Sequence, residues 1–111
     1  MISRVWRAAA STEGANAYRE HFSRRVLPHL ERIAGFSGVR LLERELDGEV
    51  EVLVMTLWQS PDAVRAFAGT DIETAVVEPE ARAVLSRYDT VASHYAVVID
   101  AERDGREELR P

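Results

Sequence analysis

The chain has 111 residues, no cysteine and a formal charge of -5, and all 14 of its basic residues are arginine. This length fits a single domain, and the composition excludes disulfides, thiolate metal sites, thiol nucleophiles and Schiff-base chemistry on lysine. Because no basic cluster and no apolar run of about 18 residues occurs, we expect a cytoplasmic protein without a nucleic-acid or membrane partner.

A strand and a long helix open the chain. Residues 2–8 alternate between two faces, which predicts a strand. Ser11 or Thr12 then caps a helix, and Pro28 predicts a kink or a short break near Leu27 because proline lacks a backbone donor. The apolar stripe of this helix comprises Tyr18, Phe22, Val26, Leu30 and Ile33.

A β-hairpin follows the helix. Gly35 ends the helix, and residues 36–46 and 49–58 are predicted strands joined by Asp47 and Gly48. A type I′ turn needs positive φ at both central positions, which aspartate tolerates and glycine adopts freely. The turn fixes the register, with the predicted cross-strand pairs Leu46–Glu49, Arg44–Glu51 and Leu42–Leu53.

The strand over residues 49–58 is apolar on both faces. Val52 and Val54 point to one side, and Leu53 and Met55 point to the other. A strand with one wet face would alternate between apolar and polar residues, so both faces are expected to be covered. We therefore predict helices on one face and a second copy of the chain, in a homodimer, on the other.

The last third of the sequence predicts two helical pieces and a fourth strand. Ser60 as N-cap and Pro61 at the first helical position start a helix that Gly69 ends. The remaining predicted elements are a turn at 71–76, a helix beginning at Pro79, a strand over 90–99 and a solvated polar tail over 100–111.

The order β-α-β-β-α-β predicts an α+β, ferredoxin-like fold. In this arrangement four strands form one antiparallel sheet with the helices packed on one face. Residues 1–99 would form this single domain, and the tail would lie outside it.

Three stretches resemble a known family. The opening MISRVWR, the segment GFSGVRLLERELDGEVEVLVMTLWQSPDAVRAFAGTDIETAV and the closing SHYAVV are similar to the antibiotic biosynthesis monooxygenase family of dimeric α/β barrels. The resemblance implies a dimer with a ligand pocket between sheet and helices in each subunit. It also implies oxidation of polycyclic phenols or quinols without metal or flavin, as in some members, or haem degradation, as in others. No cofactor is expected.

The chain departs from this family at three positions. Arg7 stands where haem-degrading members have an asparagine late in the first strand, and Phe67 stands where they have a tryptophan. Val76 or Val77 occupies the place of their haem-ligating histidine. The resemblance therefore implies the fold more strongly than the reaction, because the anthrone-oxidising members use the same asparagine and tryptophan.

His94 is the candidate for proton transfer, because it lies in the predicted fourth strand and an imidazole exchanges protons near neutral pH. In an oxygenase it would take the hydroxyl proton of a bound phenol, so that the anion reacts with O₂. The alternative is a hydrogen-bonded histidine at a dimer interface. His21 and His29 are expected at the surface, and three histidines without metal-ligand spacing predict no metal site.

The candidate ligand pocket consists of aromatic residues and one arginine. An aromatic lining suits flat ligands, although the same residues could form plain core. Arg40 shares a predicted face with Met55, so burial of that face would require an anionic ligand or a glutamate of a second subunit. The predicted pocket residues are Trp6, Tyr18, Arg40, Trp58, Phe67 and Tyr95.

Three functions fit these features. The first is a cofactor-independent monooxygenase that acts on an aromatic, quinol or polyketide-like molecule, with His94 as proton acceptor. The second is a non-catalytic ligand-binding or stress-associated dimer. The third is a polyketide cyclase or isomerase, which needs only an acid/base residue and a shaped pocket.

Overall fold

The computed structural model describes residues 1–103 as one antiparallel sheet with helices on one face. The strands are β1 (Ile2–Ala10), β2 (Phe36–Leu46), β3 (Glu49–Trp58), β4 (Arg87–Tyr88) and β5 (Ser93–Ala96). The helices are α1 (Thr12–His21), α2 (Leu27–Glu31), α3 (Pro61–Ala68) and α4 (Pro79–Val84), with a π-helical segment at Phe22–Val26. None of the helices in this part of the chain is long and apolar enough to cross a bilayer.

The β2–β3 hairpin matches its prediction. Asp47 and Gly48 have φ values of 54° and 79°, as a type I′ turn requires. The predicted pairs Leu46–Glu49, Arg44–Glu51 and Leu42–Leu53 are confirmed. The Arg44 Nε atom also lies 2.5 Å from Glu51 Oε1. The register therefore places opposite charges directly across the ladder.

The predicted fourth strand over 90–99 is wrong in its extent, because the chain forms two short strands there. The sheet order is β2-β3-β1, and β4 and β5 both pair with the free edge of β1. Between the pairs Ala8–Tyr88 and Val5–Ser93, residues 89–92 lie opposite only two residues of β1. The fourth position of the ferredoxin-like α+β sheet is thus filled by two pieces.

The interruption has a physical cause in the loop after α3. The Ala75 N–H donates to the Thr90 carbonyl at 2.9 Å, and the Ala92 N–H donates to the Glu73 carbonyl at 2.8 Å. The backbone of residues 90–92 therefore pairs with the loop instead of with β1. This pairing anchors the segment of residues 69–78, which we call the loop 69–78, against the sheet.

The helix boundaries follow the local signals in most places. Ser60 Oγ accepts from the Ala63 N–H at 3.2 Å, and α3 ends at Gly69, which has a φ of 89°. The turn predicted over 71–76 forms, but it is shorter than predicted and is not helical. Asp71 closes only a short turn there, in which its Oδ1 accepts from the Glu73 N–H at 3.1 Å.

The predicted break in the first helix takes the form of the π-helical segment. The Leu27 N–H donates to the Phe22 carbonyl, five residues back. Pro28 follows directly in the first turn of α2, so the widened π-helical turn lies at the point where the proline removes a backbone donor. The irregularity therefore precedes the proline instead of following it.

The two faces of the sheet differ in burial. On the helical face Val52 and Trp58 are fully buried, whereas Leu42 on the other face is 47% exposed. The largest fully buried side chains are Trp58, Leu30, Val52 and Val64. Residues 100–103 of the predicted tail contain no helix or strand, and residues 104–111 lie outside the described part of the chain.

Candidate functional site

A half-enclosed cavity of about 140 Å³ lies between the helical face of the sheet and the first helix. A cavity of about 150 Å³ accepts a benzene ring, so this one has room for a single aromatic ring. Its apolar lining includes Trp6, Tyr18, Phe22, Val54, Phe67, Val76 and Val77. Its polar lining includes Arg4, His21, Arg25, His29, Thr56 and Glu78.

Three of the predicted aromatic residues line this cavity. The ring centroids of Trp6 and Tyr18 are 6.1 Å apart, and Phe67 forms another part of the wall. Trp58 lies behind that wall, stacked on Phe67 with centroids 5.8 Å apart and fully buried. Its Nε1–H donates to Thr56 Oγ1 at 2.8 Å, so Trp58 supports the cavity without lining it.

Two other predicted pocket residues lie on the opposite face of the sheet. Arg40 pairs with Met55, and its guanidinium donates to the Val39 carbonyl at 3.1 Å. Tyr95 pairs with Ser3 and is 58% exposed. Side chains alternate between the faces of a strand, so neither residue can reach the cavity within one subunit.

His94 lies on the cavity side of the sheet but is not part of the lining. Its Nε2 atom is 2.9 Å from Nη1 of Arg4, the residue that it pairs with on β1. Because a guanidinium only donates, His94 Nε2 accepts and its proton resides on Nδ1. The pKa of His94 is lowered by burial and, to a smaller extent, by the charge of Arg4, while Glu73 opposes the shift.

His21 and His29 both border the cavity. His29 is exposed, as predicted, whereas His21 is only partly exposed. His21 Nε2 lies 3.0 Å from Glu78 Oε1, and only 9% of its side chain is exposed. The ring of His29 is 6.1 Å from that of Phe67. Sequence spacing held a signal for His21, because it is three residues after Tyr18 on the apolar face of the helix.

Packing between α1 and α4 brings Glu78 to His21. Glu78 immediately precedes Pro79, the first residue of α4. Gly14 on α1 faces the carbonyl oxygen of Val84 so closely that a Cβ at this position would overlap it. The absence of a side chain at Gly14 therefore permits the close approach that places an acid beside an imidazole.

Arg4 is a buried cation in the cavity wall, and it is only 5% exposed. Its guanidinium donates to the carbonyls of Ile72 and Thr74 in the loop 69–78, the latter at 3.0 Å. Its Cζ atom lies 5.8 Å from the ring centroid of Phe67. Burial lowers the pKa of Arg4, but an arginine so far above neutral pH keeps its charge.

The electrostatics of Tyr18 differ from those of the histidines. Burial, followed by the nearby charge of Glu78, raises the pKa of Tyr18. Its hydroxyl therefore stays protonated at neutral pH.

Across residues 1–103, no group of three or more His, Cys, Asp or Glu side chains is placed to hold a metal ion.

The sheet also corrects one of the family correspondences made from the sequence. Arg7, which was matched to the asparagine of the family, pairs with Leu53 on the face away from the cavity. The residue of β1 that faces the cavity at this level is Trp6. Phe67, Val76 and Val77, in contrast, line the cavity.

Comparisons with known proteins agree with this architecture. The model of the antibiotic biosynthesis monooxygenase family matches residues 1–79. A comparison with curated proteins found no match. The cavity residues from Arg4 to Glu78 fall within the matched segment. The cavity residue Ala81 and the neighbouring His94 lie beyond it.

Three solved structures have a similar fold. A candidate antibiotic biosynthesis monooxygenase from Bacillus cereus has a TM-score of 0.66 and 18% identity, over 92% of this chain and 97% of that chain. SnoaB, a cofactor-independent oxygenase from Streptomyces nogalater, has a TM-score of 0.64 and 21% identity over the same shares. MhuD, a haem degrader from Mycobacterium tuberculosis with two haems bound, has a TM-score of 0.61 and 24% identity, over 92% and 100%.

Proposed function

Because the chain belongs to the antibiotic biosynthesis monooxygenase family, we propose that it is a cofactor-independent oxygenase of small phenols or quinols. The single observation that carries this proposal is an imidazole–carboxylate pair, His21 and Glu78, on the wall of a cavity that is otherwise largely aromatic and aliphatic. A flat ring suits that lining, and a base beside the ring is what this chemistry needs.

The similar structures support the proposal at the level of the fold. SnoaB is a cofactor-independent oxygenase, whereas MhuD degrades haem. A cavity of about 140 Å³ favours a ligand of one ring over a macrocycle. A tricyclic polyketide-like molecule would extend beyond a cavity of this volume.

His21 is the proposed proton acceptor. If Nε2–H donates to Glu78, the lone pair of the imidazole is on Nδ1, which takes the hydroxyl proton of the ligand. The carboxylate of Glu78 then stabilises the imidazolium that forms. The pair resembles the base-and-orienting-acid arrangement of many hydrolases, here used to make a phenolate.

His94 stays a prediction as the alternative proton acceptor. Its Nε2 lone pair is occupied by a hydrogen bond from Arg4, and its lowered pKa makes it a weaker base. These two features favour His21 over His94.

The proposed reaction balances without a cofactor. The phenolate gives electrons to O₂, and a new carbon–oxygen bond forms at the ring carbon opposite the hydroxyl. The peroxide formed there loses water, so that phenol plus O₂ gives a quinone plus water. The hydroxyl hydrogen and the hydrogen on that ring carbon supply the two hydrogens of the water, and one atom of O₂ stays in the product. A quinol has no hydrogen on that carbon, so it passes two electrons and its two hydroxyl hydrogens to O₂ and gives a quinone plus hydrogen peroxide.

Oxygen uptake tests this function. We expect consumption of O₂ with a panel of monocyclic phenols and quinols, and formation of the matching quinones. His21→Gln should lower turnover about a hundredfold or more, while His94→Gln, its matched control, should lower it less than about fivefold. Uptake no faster than in buffer across the panel would overturn the function, and the opposite ranking of the two variants would restore His94 as the base.

A binding protein without turnover is the second candidate. The apolar side chains of Phe67, Val76 and Val77 favour it, because they provide packing surface and no acid or base. It would show binding of single-ring ligands with no uptake of O₂.

We also propose that a second copy of the chain covers the exposed face of the sheet. Leu42 and Tyr95 are 47% and 58% exposed there, beside the half-buried Leu53 and Met55. An apolar surface exposed in this way is typical of a protein–protein contact. Sedimentation at micromolar concentration should give a dimer, and Leu53→Glu should give a monomer. A monomeric parent protein would contradict the proposal.

A further inference from the structure

Arg4 is an unusual wall residue for an aromatic cavity. It is 5% exposed, and its three hydrogen-bond partners are two backbone carbonyls and the imidazole of His94. The two carbonyls carry no charge. The His94 ring is also neutral, because its Nε2 accepts from Arg4 and its pKa is lowered. Within residues 1–103, the acids that form ion pairs are all matched to other arginines or to His21.

A buried charge without a counter-charge is costly to keep. Proteins normally pair such a charge, coordinate it or let it neutralise, and an arginine cannot neutralise. The chain as a whole carries a charge of -5, so it has acids to spare for pairing. Among residues 1–103 no acid forms an ion pair with Arg4, which leaves a place for a negative charge brought by a ligand.

The guanidinium has donors left for such a ligand. It carries five N–H groups, and the contacts with Ile72, Thr74 and His94 use two on Nη1 and one on Nη2. Within the described part of the chain, the donors without a partner are one on Nε and one on Nη2. Neighbouring donors of this kind hold both oxygens of a carboxylate in a bidentate pair.

The rest of the cavity lining also favours a negatively charged ligand. Arg25 is a second arginine in the lining, and Glu78 is the acid there. Glu78 is in contact with His21 and is therefore engaged within the protein. The apolar part of the wall then contacts the ring of the ligand, including Phe67, over which the Arg4 guanidinium lies.

We propose that the ligand of this cavity is a single-ring aromatic carboxylate, of the hydroxybenzoate class, and that its carboxylate binds the guanidinium of Arg4. The inference rests on the proposed use of the cavity as a ligand site, and it adds the charge and size of the ligand. The hydroxyl of the ring remains available to the proton acceptor.

A pair of isosteric ligands tests the charge directly. The probes are meta-hydroxybenzoate and meta-hydroxybenzamide, whose ring and hydroxyl are the same and whose charges differ. Binding is measured by calorimetry and by quenching of tryptophan fluorescence, without any turnover. We expect the parent protein to bind the carboxylate about tenfold to a hundredfold more tightly than the amide.

Three variants locate the effect. Arg4→Gln should remove the preference for the carboxylate, and Arg4→Lys, which keeps the charge, should retain part of it. Arg7→Gln is the matched control, because Arg7 is on the same strand with its side chain on the opposite face; it should retain the full preference. Thermal melting of each variant shows whether it folds.

The outcomes separate this inference from the proposed function. Equal binding of the two ligands by the parent protein would overturn the inference, even if neutral phenols are oxidised. Retention of the preference in a folded Arg4→Gln protein would also overturn it. If Arg4→Gln does not fold, the comparison of the two ligands in the parent protein, together with Arg4→Lys, still decides. A clear preference without O₂ uptake would support the inference and overturn the oxygenase.

Discussion

His21 and His94 are two imidazoles beside one cavity, and their neighbours carry opposite charges. His21 lies 3.0 Å from a carboxylate oxygen of Glu78, and His94 lies 2.9 Å from a guanidinium nitrogen of Arg4. An acid beside an imidazole stabilises the protonated ring, whereas a guanidinium opposes protonation. The two sites are thus suited to different tasks, proton uptake at His21 and a neutral acceptor at His94.

The two sites are also held by different parts of the fold. Glu78 reaches His21 because α4 packs on α1, whereas Arg4 and His94 are paired directly across β1 and β5. Arg4 additionally fixes the loop 69–78 through the carbonyls of Ile72 and Thr74. Changes in helix packing should therefore affect the first site, and changes in charge or pH should affect the second.

After loss of His21 itself, removal of the acid beside it should give the largest effect on catalysis. In Glu78→Gln we expect kcat to fall by about tenfold to a hundredfold, because the imidazole loses the group that orients it and stabilises its charge. KM should change by less than about twofold, since binding of the ring is not affected. The measurement is steady-state O₂ uptake.

Glu73→Gln is the matched control for this change. Glu73 opposes the lowering of the His94 pKa through its charge, but within the described part of the chain the hydrogen-bond partner of that ring is Arg4. We expect it to leave kcat within about threefold of the parent value. If the two variants lost activity equally, the comparison between the two histidines would not hold.

Gly14→Ala, which adds a methyl group between α1 and α4, should give the next largest effect, on stability and on turnover. In Gly14→Ala the added Cβ would overlap the Val84 carbonyl, so α4 has to move away from α1. We expect a loss of about 1–3 kcal/mol in the free energy of unfolding, together with reduced turnover as Glu78 moves with α4.

Gly38→Ala provides the control for that substitution. Its added Cβ would meet only Leu57 Cδ1, at an ordinary contact distance of 3.8 Å. Chemical denaturation compares the two variants, with an expected change below about 1 kcal/mol for Gly38→Ala. Equal losses would show that the α1–α4 contact is not the critical one.

Features with local causes were the ones that could be predicted from the sequence. Asp47 and Gly48 determine the turn, and the turn determines the register of the hairpin. Ser60 and Pro61 similarly determine the start of α3. Each of these signals acts over a few residues, and no distant part of the chain competes with it.

Features that depend on distant pairing were missed. The predicted strand over 90–99 is interrupted because its backbone pairs with residues 73–75, and periodicity alone cannot detect this competition. His21 was placed at the surface because its partner Glu78 is 57 residues away. The alternation of β1 did put Arg4 and Trp6 on one face, but it could not tell which of the two sheet faces holds the cavity.

Acidification should distinguish the two histidines through a smaller effect, a change in the stability of the protein. The pKa of His94 is lowered from its ordinary value of 6.5, so below that value the unfolded chain binds a proton more readily than the folded one. The free energy of unfolding must then fall as the pH falls towards the folded-state pKa of His94. At higher pH, where the ring is neutral in both states, this contribution to stability is fully present.

The measurement is the melting temperature from neutral to mildly acidic pH. His94→Gln should show a smaller decrease than the parent protein, because glutamine accepts a hydrogen bond from Arg4 without titrating. His29→Gln controls for the loss of an imidazole elsewhere on the cavity. A decrease in His94→Gln as large as in the parent protein would assign the acid sensitivity to other groups.

Removal of the Tyr18 hydroxyl should give the smallest effect, although this hydroxyl lies in the same cavity as His21. The pKa of Tyr18 is raised by burial and by Glu78, so the phenol stays protonated and cannot act as the base at neutral pH. The ring packs between Trp6 and Phe22, and phenylalanine preserves those contacts. We expect Tyr18→Phe to change kcat by less than about threefold, with Tyr88→Phe as the control outside the cavity. A loss as large as that of His21→Gln would instead assign the proton to the tyrosine, and the two imidazoles would then differ in their surroundings without differing in catalytic role.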